Sequence, residues 1–233
     1  MKFVLVLISI LALSQVYNCG WGDHWPFCLN PNYWTSDMVT NKSPVNLSTY
    51  AGVWYEQWHI LPSFIPQQDG CVCTQVKYIL NDAGELVVRN RCANEKKNLE
   101  WGGIDGHLVV NDPPQNTKGT VYFFEDKIGR HTIPYLTGSY WILDLDPDYQ
   151  WALIGEPCKQ SAYFLTKERN VDEALVNKSL DDLKNKWEYT TFSDLEHTKQ
   201  ENCPEFPGWD ESVTPVGVQT RMLVDSLMKA MDE

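Results

Sequence analysis

Basic residues are scarce in this chain, 19 lysines and arginines against 31 acidic residues, which leaves a formal net charge of −12. A surface of that sign repels phosphate backbones and anionic headgroups, so nucleic acid is excluded as an expected partner. Beyond the first thirteen residues no apolar run is long enough to cross a bilayer, and no integral membrane segment is expected. No two cysteines have the Cys-x-x-Cys spacing and no histidine stands at zinc-site distance from them, so neither a metal nor another cofactor is expected. There is no Gly-x-Ser-x-Gly elbow, no phosphate-binding glycine loop and no His-Glu-x-x-His helix. The five histidines, His24, His59, His107, His131 and His197, are scattered. No catalytic residue is assigned, and the chain is not expected to be an enzyme. No internal repeat or low-complexity run divides it.

What the chain does have begins with a basic start, Met1-Lys2, and an apolar stretch from Phe3 to Leu13. This reads as a secretory signal peptide over 1–14, with cleavage after Ser14. Residues 15–44 follow as an irregular arm, in which Trp21, Trp25, Phe27, Tyr33 and Trp34 alternate with turn formers. Its rings either cover the closed end of the molecule or form a lid or membrane-touching tip. Sequons at Asn41, Asn46 and Asn177 are glycan acceptors in a secreted chain, and Pro44 makes the first the poorest of the three. Seven cysteines in such a chain read as disulfides, since the secretory compartment is oxidising.

Short period-two segments bounded by Gly, Pro, Asn or Asp predict strands at 52–61, 71–80, 85–93, 99–110, 118–125, 139–145, 149–156 and 161–167. Eight such strands fit an all-β fold, an antiparallel up-and-down barrel enclosing one small ligand. Val171 to Trp187 then carries Leu175, Leu180, Leu183 and Trp187 at helical spacing, acidic residues near its start and lysines near its end. A second helical pattern, with Leu223, Leu227 and Met231, falls in a C-terminal extension over 204–233. A protein partner is expected to use that helix or Cys19.

Gly52-x-Trp54-Tyr55-Glu56 stands about ninety residues ahead of Tyr140-Trp141-Ile142-Leu143-Asp144, which runs into Trp151-Ala152-Leu153-Ile154-Gly155-Glu156-Pro157. This order and spacing resembles the lipocalins, most of all the branch of apolipoprotein D, the bacterial lipoprotein lipocalin and the plant temperature-induced lipocalins. The resemblance spans residues 45–203, read as the lipocalin domain, and implies that the 171–187 helix packs outside the barrel. It implies bridges Cys28–Cys158 and Cys73–Cys203. Cys19, Cys71 and Cys92 remain. With Asn81-Asp82-Ala83-Gly84 as a hairpin turn, residue 92 stands opposite 73 and diagonal to 71, which predicts a Cys71–Cys92 bridge. Cys19 is left unpaired or paired between chains.

Lipocalins place the tryptophan corresponding to Trp54, after Gly52, at the closed end beneath a basic residue from just beyond the last strand. Lys167 occupies that residue's place. Because lysine lacks the planar fork of arginine, the plug stays open between Lys167 and Arg169. If Cys73 faces outward, Val72, Thr74, Val76 and Tyr78 face the lumen, and strict alternation puts Trp54, Glu56, Trp58 and Ile60 on one inward face. Tyr78 and Tyr163 match positions that line the apolipoprotein D cavity. The candidate ligand-binding residues are therefore Glu56, Trp58, Tyr78, Trp141 and Tyr163, each aromatic being either core or ligand contact.

The expected function is that of a secreted carrier of a small hydrophobic ligand such as a fatty acid, sterol, retinoid or tetrapyrrole, as the resemblance implies. One alternative is a protein-interaction module with a filled barrel. Another is a lipocalin-type isomerase or de-epoxidase using a free Cys71 or Cys92.

Overall fold

The computed structural model describes residues 38–61, 70–82, 84–122 and 137–209. Eight antiparallel strands close on themselves: β1 (Gly52–Ile60), β2 (Cys71–Leu80), β3 (Leu86–Asn94), β4 (Glu100–Val110), β5 (Lys118–Tyr122), β6 (Thr137–Leu145), β7 (Trp151–Gly155) and β8 (Ala162–Thr166). Each pairs with the next, and β1 pairs with both β2 and β8, so no edge is left among these eight. A one-turn helix, α1 (Leu47–Tyr50), is capped by Asn46 and leads into β1. A longer helix, α2 (Glu173–Lys186), follows β8, and a ninth short strand, β9 (Leu195–His197), follows it. The expected all-β barrel with an external helix is the fold. The expected signal peptide, most of the expected arm including Cys19 and Cys28, and the expected helical tail lie outside the described residues.

α2 forms where charge and capping favour it. The Asp172 carboxylate accepts from the Ala174 N–H at 2.9 Å, Glu173 lies in the first turn and Lys184 and Lys186 in the last, each sign matched to the helix dipole. Leu175, Val176, Leu180 and Leu183 face the barrel, against Trp58, Trp141, Leu143, Trp151, Leu153 and Phe164. Burying a side chain such as Leu183 or Phe164 fully contributes about 1.5–3 kcal/mol.

Register slips interrupt the alternation in β1, in β2 and between Ile142 and Asp144 of β6; the first two set which expected lumen residues face inward. Between Glu56 and Trp58 the β1–β8 register slips by one. Glu56 is opposite Leu165 and His59 opposite Tyr163, on the inner face; Trp58 is opposite Phe164 and Ile60 opposite Ala162, on the outer. The second slip lies between Val72 and Gln75, where Cys73 has φ +58°. A bulge adds a residue and inverts the face of everything beyond it. Val76 and Tyr78 accordingly face the lumen as expected, whereas Val72 packs outside with Cys73, Ala93 and Trp101.

The bulges mark where β1 and β2 part. Their pairing ends at Tyr55 and Gln75, and beyond it β1 pairs with β9 instead. The C-terminal segment fills the gap. Thr198 N–H donates to Gln57 O at 2.9 Å, Cys73 N–H donates to Lys199 O at 2.7 Å, and the Gln200 amide donates to Glu56 O at 2.7 Å and Thr74 O at 2.8 Å. The Cys73–Cys203 disulfide holds the wedge in place. Cys71 is bonded to Cys92. Cys158 is also disulfide-bonded, and its expected partner Cys28 lies outside the described residues.

Candidate ligand-binding site

The lumen floor is built on Trp54, a fully buried ring whose Nε1 donates to Tyr50 O at 2.8 Å. Lys167 Nζ lies 4.1 Å from the centre of that ring and donates to Ala51 O at 3.0 Å. Gly52 has φ +106°, a backbone conformation that residues with a side chain rarely adopt, which is why this position favours glycine. Lys167 is therefore the plug. Burial lowers its pKa to about 8, so it keeps its charge at neutral pH. Arg169 is elsewhere: its guanidinium covers the Tyr55 ring at 4.5 Å and donates to Gln200 Oε1 at 2.9 Å, on the outside.

Above the floor, three phenols form a chain. Tyr140 Oη lies 2.7 Å from Tyr50 Oη and 2.6 Å from Tyr78 Oη. Burial raises all three pKa values, so each phenol keeps its hydrogen across the physiological range. Two contacts consume two of the three hydrogens, leaving one donor that these contacts do not use. Val76, Val88, Leu108, Val121 and Ile142 supply an apolar wall around them. A small crevice with about 10 Å³ of room is lined by Leu47, Leu108, Tyr140 and Ile142.

Glu56 and His59 form an inward polar pair. His59 Nδ1 is 2.9 Å from Glu56 Oε1, which also accepts from Thr198 Oγ1 at 2.6 Å. Burial pulls the His59 pKa down, but the charge and hydrogen bond of Glu56, with Glu196 behind, leave it raised above 6.5. Glu56 thus has the partners a buried carboxylate requires. Tyr163 stands across from His59 on the same face.

Of the five expected lumen residues, Glu56, Tyr78 and Tyr163 come together on the inner face. Trp58 and Trp141 do not. The bulge after Glu56 turns Trp58 outward, where it donates to Ser179 Oγ at 2.8 Å, and Trp141 belongs to the outer cluster under α2, with Lys118 Nζ 4.4 Å from its ring centre. Tyr140, one residue earlier, points inward in its place. His59, Tyr50 and Tyr140 were not singled out by the sequence. The Tyr140-Trp141 pair offered two aromatics on opposite faces, and nothing local says which is inside. Cys71 and Cys92 are bonded to each other, so the isomerase or de-epoxidase reading has no free thiol at either position.

A family model described as a lipocalin-like domain matches residues 45–200. The chain belongs to the lipocalin family. Among curated lipocalins it is similar to temperature-induced lipocalin-1 of Arabidopsis thaliana, 30% identical over 169 residues that make up 69% of this chain and 82% of that protein. It is also similar to a putative lipocalin of Acanthamoeba polyphaga mimivirus, 24% identical over 60% of this chain and 77% of the other. Solved structures that resemble this lipocalin include lobster apocrustacyanin A1, 16% identical with a TM-score of 0.47, covering 72% of this chain and 95% of that one. Insecticyanin from the tobacco hornworm Manduca sexta is 16% identical with a TM-score of 0.48, covering 76% and 89%.

Proposed function

We propose that this lipocalin is a secreted carrier that takes up a small hydrophobic ligand reversibly in the barrel lumen, in the manner of apolipoprotein D. The observation that carries this reading is the chain of neutral phenols Tyr50, Tyr140 and Tyr78, set into an apolar inward wall with one hydrogen beyond what the chain uses. A ligand that presents a carbonyl, carboxylate or hydroxyl oxygen to that hydrogen, and an apolar body to the wall, satisfies both. Ligand sites of this make-up combine a hydrophobic lining with a few placed polar groups. Fatty acids, sterols, retinoids and tetrapyrroles all have that division. Glu56 and His59 form a second polar point on the same inner face, and Tyr163 stands between the two.

Secretion agrees with the five disulfide-bonded cysteines among the described residues, Cys71, Cys73, Cys92, Cys158 and Cys203, since such bonds persist in oxidising compartments. Glycans are proposed at Asn46 and Asn177, both exposed, and at the half-buried Asn41. Asn46 caps α1 through its Oδ1 alone, an arrangement that leaves its amide nitrogen for the sugar.

The test is a titration of the secreted protein with a long-chain fatty acid, a sterol, a retinoid and a tetrapyrrole, read by intrinsic tryptophan fluorescence. Saturable quenching by one class, weakened in Tyr140→Phe, is the expected result. Fluorescence indifferent to all four classes contradicts the reading and favours a protein-interaction role.

A further inference from the structure

Arg91 has no exposed side-chain surface, yet it faces away from the lumen. On β3 it stands between Arg89 and Ala93, opposite Gln75 of β2 and Gly103 of β4. One edge of its guanidinium is satisfied, with Nη1 donating to Asp105 Oδ1 at 2.5 Å and to Asn90 O at 2.8 Å. The other edge is not. Nε and Nη2 are both buried and have no hydrogen-bond partner among the described residues, and the same is true of Gln75 Nε2 and Arg89 Nε beside them. Arg89 Nε approaches Asp105 Oδ2 only to 3.9 Å.

These are four buried donors on one patch, and native interiors rarely leave even one without an acceptor. The Nε and Nη2 hydrogens of a guanidinium point the same way and match the two oxygens of a carboxylate. Charge agrees with geometry. Lys77, Arg89 and Arg91 share this outer face with Asp105, a local excess of positive charge on a chain whose net charge is −12. Gly103 makes room for the arrangement, since a Cβ there would meet Arg91 Cδ at 2.8 Å and Asn90 O closer still.

The patch is roofed by the segment 203–209. It is fastened at one end by the Cys73–Cys203 disulfide and by the Trp101 Nε1 bond to Glu205 O at 3.0 Å. At the other end Arg89 Nη1 donates to Trp209 O at 2.7 Å, and Phe206 packs between the Trp101 and Trp209 rings at 4.9 and 4.8 Å. Arg91 lies on β3 between these two anchor points. The chain passes Arg89 at Trp209, and the next two residues in sequence are Asp210 and Glu211.

We propose that Arg91, with Arg89 and Gln75, forms a carboxylate-binding site on the outside of the barrel beneath residues 203–209, independent of the lumen. The bound group lies along the Nε/Nη2 edge of Arg91 and accepts from Gln75 Nε2. It comes from a small organic acid in solution or from the acidic side chains that follow Trp209 in this chain; either presents the same planar pair of oxygens. Occupancy ties the C-terminal segment to β3.

The test uses the full-length secreted protein, with its thermal midpoint measured in sodium acetate and in sodium chloride at equal ionic strength. For a site filled from solution, acetate raises the wild-type midpoint by about 2 °C or more, and Arg91→Met removes the difference. For a site filled by the chain, the wild type ignores acetate, Asp210→Asn/Glu211→Gln lowers the midpoint, and acetate restores it only while Arg91 is present. No acetate response in either the wild type or the tail variant overturns the proposal, as does a response that Arg91→Met retains. Should Arg91→Met fail to fold, Gln75→Glu sets a carboxylate against the fork from within. It is expected to abolish the acetate response, and an undiminished response in it overturns the proposal equally.

Discussion

The indole nitrogen of Trp58 donates to the Ser179 hydroxyl at 2.8 Å, joining β1 to α2 across the outer wall of the barrel. Ser179 passes its own hydrogen to Val176 O at 2.6 Å, so the bond is part of the helix seam and the ring is stacked on Phe164 rather than offered to a ligand. Trp58→Phe is expected to cost about 1–2 kcal/mol, one buried hydrogen bond and some packing. Urea unfolding measures that loss, and ligand affinity is expected to stay unchanged; weakened binding in a stably folded variant would return Trp58 to the lumen.

The floor plug divides two neighbouring cations by role. Lys167→Met removes the contact to the Trp54 ring and the bond to Ala51 O, with an expected cost of about 1–2 kcal/mol. Trp54→Ala removes the ring itself, for about 3–5 kcal/mol. A double-mutant cycle between the two positions is expected to show coupling, whereas Arg169→Met combined with Trp54→Ala is expected to be additive. Coupling to Arg169 instead of Lys167 would reverse the assignment.

All eight barrel strands are legible in the sequence because period-two patterning and turn residues such as Asn81-Asp82 and Pro113-Pro114 are local signals. The bulges in β1 and β2 are not. Each exists because the segment 195–200 separates β1 from β2, a contact between residues more than a hundred positions apart, and nothing in Glu56-Gln57-Trp58 or Val72-Cys73-Thr74 announces it. Alternation therefore places Trp54, Glu56, Val76 and Tyr78 correctly and fails at Trp58, Ile60 and Val72, just past the slips. Lys167 over Arg169 is likewise decided in three dimensions, by Lys167 Nζ lying over the Trp54 ring while Arg169 covers Tyr55.

Stability is expected to depend on pH through His59. Its folded-state pKa is raised above 6.5, with burial opposing and Glu56 prevailing. The folded state then holds the proton that the unfolded chain releases, so the pair's contribution is fully present below 6.5 and lost as pH rises through the folded value. Urea midpoints of the wild type should fall relative to His59→Gln between about pH 6 and 8. A difference that stays flat across that window contradicts the Glu56–His59 pairing.

Tyr140 is the hub of the phenol chain. Tyr140→Phe leaves the Tyr50 and Tyr78 hydroxyls without the partner they share, at an expected cost of about 1–3 kcal/mol in unfolding free energy. Tyr55→Phe, on the outer face opposite Thr166, is the matched control and should change stability by less than about 0.5 kcal/mol. Equal effects from the two would remove the special place of the chain.

The carrier reading is tested most directly by native mass spectrometry of protein recovered from a secreting host, followed by solvent extraction and identification of what is released. The expected result is a complex with one small hydrophobic molecule per barrel, bearing an oxygen acceptor, that is lost or weakened in Tyr140→Phe. A wild-type protein that flies at the mass of the covalent chain alone, and stays so after incubation with each of the four ligand classes, would contradict it.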